Sequence, residues 1–246
     1  MTTPPTIPIL ALDPGQTPAW VAINKPPGLL SVPGKSIADC AVERVRALFP
    51  SASGPLTVHR LDMETSGILL VALTPESQRA LSAQFERRET EKSYIAVVHG
   101  TPTTHDMSDH TPGDYAWREI RLPIRPDIDH RPRQIIDPIH GKESITRWRT
   151  IDNDSSSGSP STRLELRPIT GRSHQLRVHC AFAIDALAGV PNAAKWTKGG
   201  LGTPIIGDRL YNPADPAPRL LLHATRLEFT DPTTGDRVAI DSPPDF

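Results

Sequence analysis

The sequence predicts an α+β fold: a largely antiparallel mixed sheet flanked by helices and loops. Three observations lead there. Strand-like runs outnumber helix-like runs, and several follow one another directly instead of alternating with helices. Twenty-seven prolines in 246 residues interrupt the chain too often for long continuous helices. No internal repeat and no break in composition marks a second domain. Residues 19–246 therefore read as one domain behind an irregular Pro- and Thr-rich extension, 1–18. A chain of this length can bury a substantial core.

Taken in order, AWVAINKPPGLLSVPG (19–34) predicts a short buried strand that ends in a Pro-Gly loop. ADCAVERVRALFP follows with Val42, Val45 and Leu48 at helical spacing, stopped by Pro50. TVHRL is strand-like, DMETSG a turn, and GILLVAL a continuous apolar strand. Thr74 caps a helix that starts at Pro75 and runs to about Arg88, with Leu81 and Phe85 facing inward. KSYIAVVHG is a strand, and the polar stretch 101–117 a loop. ESITRWRTI and TRLELRPI read as paired strands around NDSSSGSPS. TGRSHQLRVHCAFA begins a helix with Ser173 as N-cap and Leu176, Cys180 and Ile184 on one face. Residues 185–204 are rich in Gly, Pro and Ala and carry no periodicity. RLLLHATRLEFT and GDRVAID close the chain as a hairpin across DPTTG.

Composition narrows the function classes. Two cysteines, Cys40 and Cys180, make neither a disulfide framework nor a CxxC zinc pair. The start MTTPPTIPILALDPG lacks the basic and apolar runs of a signal peptide or membrane anchor, which predicts a cytoplasmic protein. The net charge of -1 does not advertise nucleic-acid binding globally. Locally, WREIRLPIRPDIDHRPRQ carries Arg118, Arg121, Arg125, Arg131 and Arg133 against Glu119, Asp127 and Asp129. RLELRPITGRSHQLRVH carries four arginines and two histidines against one Glu. Clustered arginine suits phosphate, yet solvated strand faces are also Arg-rich, and charge alone leaves the two readings even.

The chemistry centres on HRLDMETSG (59–67), which places Arg60 and Asp62 between apolar positions just ahead of a buried strand. An Asp before a turn ordinarily bonds nearby backbone N–H groups and does no chemistry. Arg60 and Arg177, both flanked by apolar residues, weaken that reading because each needs an anionic partner. A pairing of Arg177 with Asp62 would keep the carboxylate ionised and fixed in direction. His59, His174, His179 and His223 with Asp62 invite a metal reading. Their spacings do not converge on one face of any element, so no metal site is expected. Tyr94 in EKSYIAVVHG is either an amphipathic strand residue or a ring that stacks on a flat substrate. Lys25 in NKPPG sits in a rigid loop, exposed or touching phosphate.

NKPPGLLSVPG, HRLDMETSGILLVALT, KSYIAVVHG, PITGRSHQLRVH, IIGDRLY and LLLHATRLEFTDPTTG occur in the order typical of the RluA family of pseudouridine synthases, which the chain resembles from about residue 19 to 241. The resemblance implies a pseudouridine synthase domain that isomerises uridines in structured RNA, in rRNA and/or tRNA stem-loops. It implies Asp62 as catalytic residue, Tyr94 stacked on the target uracil, and Arg177 paired with Asp62. It implies that Arg60 enters the RNA stack when the target base leaves it. The same motifs nominate Lys25, His59, Arg172 and His174 as further RNA contacts. The expected cofactors are none, metal included, and the expected state is a monomer with no membrane and no obligatory protein partner. Residues 185–204 make a longer link than the family's usual one, and the N-terminal extension is too short for the S4 RNA-binding domain of other members. The competing readings are a carboxylate-based or metal-assisted nucleoside hydrolase and an RNA-binding or RNA-folding factor on the same scaffold.

Overall fold

The computed structural model describes residues 6–102, 116–154, 160–183 and 199–246. Its strands are β1 (Ile9–Leu12), β2 (Trp20–Lys25), β3 (Ser66–Ala72), β4 (Glu91–His99), β5 (Arg118–Pro126), β6 (Gln134–Ile136), β7 (Lys142–Asp154), β8 (Ser161–Pro168), β9 (Leu222–Thr230) and β10 (Arg237–Asp241). Its helices are α1 (Ala41–Leu48), α2 (Pro75–Arg87) and α3 (Gln175–Ala181). β3 and β9 pair in parallel, whereas β1 with β2, β2 with β3, β4 with β8, β5 with β6 and β7, β7 with β8, and β9 with β10 pair antiparallel. The α+β class with a mainly antiparallel sheet is what the strand-rich sequence predicts. No described helix is long and apolar enough to cross a membrane.

The residues pack as two compact units, one ending at Ser93 and resuming at His223, the other spanning Tyr94–Leu222. The division falls inside β4, so no Pro- or Ser-rich linker marks it in the sequence. In the first unit the strands run β1-β2-β3-β9, with β10 on β9. Every residue of β3 is buried, which is why SGILLVA reads as an unbroken apolar run instead of alternating. Trp20 meets Phe229 edge-to-face at 5.0 Å in the core that Leu70, Leu81 and Leu227 complete. Thr74 caps α2, its hydroxyl accepting the Ser77 N–H at 3.2 Å. The helix ends at Arg88 in the left-handed conformation, φ 62°.

The second unit runs β4-β8-β7-β5-β6. The predicted pairing of ESITRWRTI with TRLELRPI is β7 on β8, with Trp148 opposite Leu166 on the core face. Leu176 and Cys180 of α3 close that core against Ala96, Ile120, Leu164 and Leu166.

Several expectations need correcting. β1 lies inside the stretch 1–18 expected to be irregular, paired antiparallel to β2. TVHRL forms no strand. Only Thr57 bridges to Val71, and the His59 imidazole accepts the Leu70 N–H at 2.9 Å, where a neighbouring strand would offer a carbonyl. Leu48 is exposed, because α1 is two turns long and buries Ala41, Val42 and Val45 instead. Ser173 does not cap α3. His174 stands at the N-cap with φ 53° and no side-chain cap, and Gln175 organises the turn, its Oε1 accepting the Arg172 N–H and the Thr170 hydroxyl. Ile184, the insertion at 185–198, most of the 101–117 loop and the centre of NDSSSGSPS lie outside the described residues.

Candidate active site

In the first unit, the turn that carries Asp62 is held on both flanks. Leu61 exchanges two hydrogen bonds with Ser31: its carbonyl accepts the hydroxyl at 2.8 Å, and its N–H donates back at 3.0 Å. The Met63 carbonyl accepts the Gly28 N–H at 3.0 Å and the Lys25 ammonium at 2.9 Å. The Thr65 N–H closes the turn onto the Asp62 carbonyl at 3.1 Å. Asp62 itself is half-buried. Five residues on, Gly67 has φ 108°, and a Cβ there would lie 2.3 Å from the Ala224 carbonyl oxygen, so only glycine lets β3 meet β9 at this point. HRLDMETSG therefore carries the Asp62 carboxylate on a backbone fixed by its neighbours.

Lys25 was expected to touch phosphate; it is fully buried. Its ammonium donates to the carbonyls of Pro26, Leu29 and Met63 at 2.9, 2.8 and 2.9 Å, all three of its donors tying the NKPPGLL loop to the Asp62 turn. Burial lowers its pKa from 10.5 to about 8, against the opposing pull of Glu64 and Asp62. His59 was also expected at RNA. Its ring instead stacks on Phe85 at 4.4 Å while Nε2 takes the Leu70 N–H. Burial, with Lys92 adding, pushes its pKa down to about 3, so it stays neutral. Both side chains make these contacts inside the first unit. Arg60 is exposed.

In the second unit, Tyr94 lies opposite Leu166 on β4 and packs half-buried against the core. Arg177 is buried on α3, 7% exposed at the side chain. Its Nε and Nη2 donate to the two oxygens of Asp208 at 2.8 and 2.6 Å, a bidentate fork. Asp208 also accepts the N–H groups of Leu210 and Tyr211 at 3.1 and 3.2 Å. Gly207, φ 78°, lets the chain turn into it. The Tyr211 ring lies 5.3 Å beneath the Arg177 guanidinium, and its hydroxyl meets His174 Nδ1 at 2.9 Å. Arg172 is exposed and donates to the Glu143 carbonyl at 3.3 Å.

Asp208, Tyr211 and Ser31 were not singled out from the sequence. The signal for the first two is IIGDRLY itself: a Gly-Asp turn followed by an aromatic at a position where an Arg needs a counter-charge. The four histidines are hydrogen-bonded to separate partners: His59 to Leu70, His174 to Tyr211, His179 to Thr146 and His223 to Ser66. Most of the Arg-rich sheet face also pairs internally. Arg121 meets Glu119 and Glu143, Arg125 meets Asp137, and Arg149 and Arg167 share Glu165. Much of the local arginine excess is therefore a salt-bridged strand face.

Comparison with known proteins shows the family. The family described as RNA pseudouridylate synthase matches residues 19–182. A dual-specificity RNA pseudouridine synthase RluA from Haemophilus influenzae is 38% identical over 91% of this chain and 89% of its own length. The protein of the same name from Escherichia coli K12 is 37% identical over 92% and 90%. Among solved structures, human RNA pseudouridylate synthase domain containing 1 superposes with TM-score 0.69 at 25% identity, covering 100% of this chain and 87% of that one. Its domain containing 4 counterpart gives 0.63 at 22%, a likeness of fold. With two thirds of its length under the family match and near-complete alignment to those relatives, the chain belongs to the RNA pseudouridine synthases of the RluA family.

Proposed function

We propose that this RNA pseudouridine synthase uses Asp62 as its catalytic carboxylate on uridines in rRNA and/or tRNA stem-loops. The observation that carries the reading is the Asp62 turn, with both flanking residues pinned by side chains from the NKPPGLLS loop. Isomerising uridine means breaking the C1′–N1 bond, turning the uracil, and joining C5 to C1′. The starting and final nucleosides have the same atoms, so the reaction consumes no co-substrate. A fixed carboxylate can assist by attacking C1′, by adding to C6, or by removing the C2′ proton towards a glycal. In this reading Arg177 pairs with Asp62 and fixes its direction. The Tyr94 ring stacks on the uracil, with its hydroxyl near the C5 proton.

The target atom is inaccessible in a stacked strand, so the base is flipped out at a cost of a few kcal/mol. Arg60, exposed beside Asp62 in sequence, fills the gap and offsets part of that cost. Unpaired loop bases are the least costly to flip and the easiest to read, which favours short stem-loops such as an anticodon arm. The enzyme acts as a monomer in the cytoplasm, over residues 19–246 as one catalytic domain and without an obligatory protein partner.

The test is incubation with the host's rRNA and tRNA, with isolated anticodon and ribosomal hairpins alongside, followed by mapping of pseudouridine at nucleotide resolution. The wild type should modify discrete uridines and free hairpins, and Asp62→Asn should bind RNA yet form no product. Turnover by Asp62→Asn within about tenfold of wild type would overturn the assignment, since removing a nucleophile ordinarily costs orders of magnitude. Release of free uracil would point to a hydrolase instead.

A further inference from the structure

Arg133 stands apart from the paired arginines of the sheet face. Its backbone is fixed between β5 and β6: its N–H donates to the His130 carbonyl at 3.0 Å, and its carbonyl accepts the Asp127 N–H at 2.9 Å. Its guanidinium lies over the Tyr211 ring, 5.9 Å from the centroid. Nε is buried with no hydrogen-bond partner, and among the described residues Arg133 joins no ion pair. A buried donor with no acceptor is unfavourable unless a ligand supplies one.

Tyr211 cannot swing away to relieve it. Its hydroxyl accepts the Gln134 N–H at 2.9 Å while meeting His174 on the other side. Asp208 already holds the Arg177 fork and two backbone N–H groups. Two guanidiniums thus lie over one aromatic ring, and one of them, that of Arg177, holds Asp208. A guanidinium held against a ring, with no ion pair of its own among the described residues, suits a phosphate.

We infer that Arg133, shelved on Tyr211, is a binding site for a backbone phosphate of the RNA substrate. The inference rests on the reading of RNA as substrate and adds to it a named contact outside HRLDMETSG and GRSHQLRVH. An acidic protein surface would offer the same charge; the RNA titration below decides against it or for it.

The experiment measures Kd of the full chain for an anticodon stem-loop between 50 and 200 mM salt, for wild type, Arg133→Gln and Arg133→Lys. The expected result for Arg133→Gln is about tenfold weaker binding, and a plot of log Kd against log salt shallower by about 0.7–0.9, the share of one phosphate. Arg133→Lys should regain the slope but not the whole affinity, because an ammonium lacks the fork. Removing an unsatisfied donor should leave the melting temperature of Arg133→Gln equal to or above that of wild type. Unchanged Kd and slope in Arg133→Gln, with wild type showing salt-dependent binding, would overturn this inference alone. Absence of salt-dependent binding in wild type would overturn the RNA reading with it.

Discussion

Replacing Lys25 by Met tests whether the Asp62 turn is held by a buried ammonium. The substitution keeps most of the side-chain volume and removes three hydrogen bonds to backbone carbonyls. The Met63 carbonyl keeps the Gly28 N–H, so the loss falls hardest on Pro26 and Leu29. A hydrogen bond from a charged donor contributes roughly 1.5–3 kcal/mol. Burial of the charge opposes this. The fall from 10.5 to about 8 corresponds to about 3 kcal/mol against the ammonium. Three such bonds, about 4.5–9 kcal/mol, less that cost predict a net loss of about 1.5–6 kcal/mol for Lys25→Met. Urea unfolding at pH 7 measures it, and pseudouridine formation per folded molecule should fall as well because Met63 adjoins Asp62.

The pH dependence is a sharper check. The folded-state pKa lies below the unfolded value, so the unfolded chain binds the extra proton between pH 8 and 10.5. The penalty is complete below pH 8 and is relieved as pH rises, so the stability gap between wild type and Lys25→Met should widen across that window. A loss under about 0.5 kcal/mol, or a gap that narrows with pH, would refute the reasoning.

Two further outcomes follow from the same structure. Asp208→Asn removes the charge from the buried Arg177 fork and should lower stability by about 3–5 kcal/mol, read by urea unfolding; a loss below 1 kcal/mol would show that the fork contributes little. His59 is held neutral, its folded pKa of about 3 lying below its ordinary 6.5. Its stabilising contribution is present above pH 6.5 and lost as pH falls through 3. His59→Gln, which keeps an acceptor for the Leu70 N–H, should therefore unfold less steeply with acid between pH 6.5 and 4.

The sequence was most legible where a local signal and the tertiary packing agree. Thr74 before Pro75, and DPTTG between two apolar runs, predict a cap and a hairpin that both form. It misled where a side chain replaces a backbone partner. TVHRL has the composition of a strand, but His59 supplies the acceptor that a strand would, and no periodicity records that. Lys25 was misread for a related reason. A lysine in a Pro-Gly loop is ordinarily exposed, and only the convergence of three carbonyls from two segments makes its burial tolerable. In the same way, the division of packing at Ser93 and Tyr94 lies within β4, where composition has no reason to change.

The two units solve one physical problem separately. A charged group useful to catalysis must be desolvated enough to act strongly and held firmly enough not to reorganise. In the first unit the Asp62 turn is fixed through its neighbours: Ser31 grips Leu61, and Gly28 and Lys25 grip Met63. In the second unit Arg177 is fixed directly, by a carboxylate that also binds its own loop through two N–H groups. The difference follows from side-chain length. A short Asp on a turn takes its direction from the backbone, so pinning the adjacent residues suffices. A long Arg on a seven-residue helix does not, so it needs a fork and a ring against it. Substitutions at Ser31 or Lys25 should therefore disturb Asp62 without touching it, whereas disturbing Arg177 requires removing Asp208 or Tyr211, which hold the guanidinium itself.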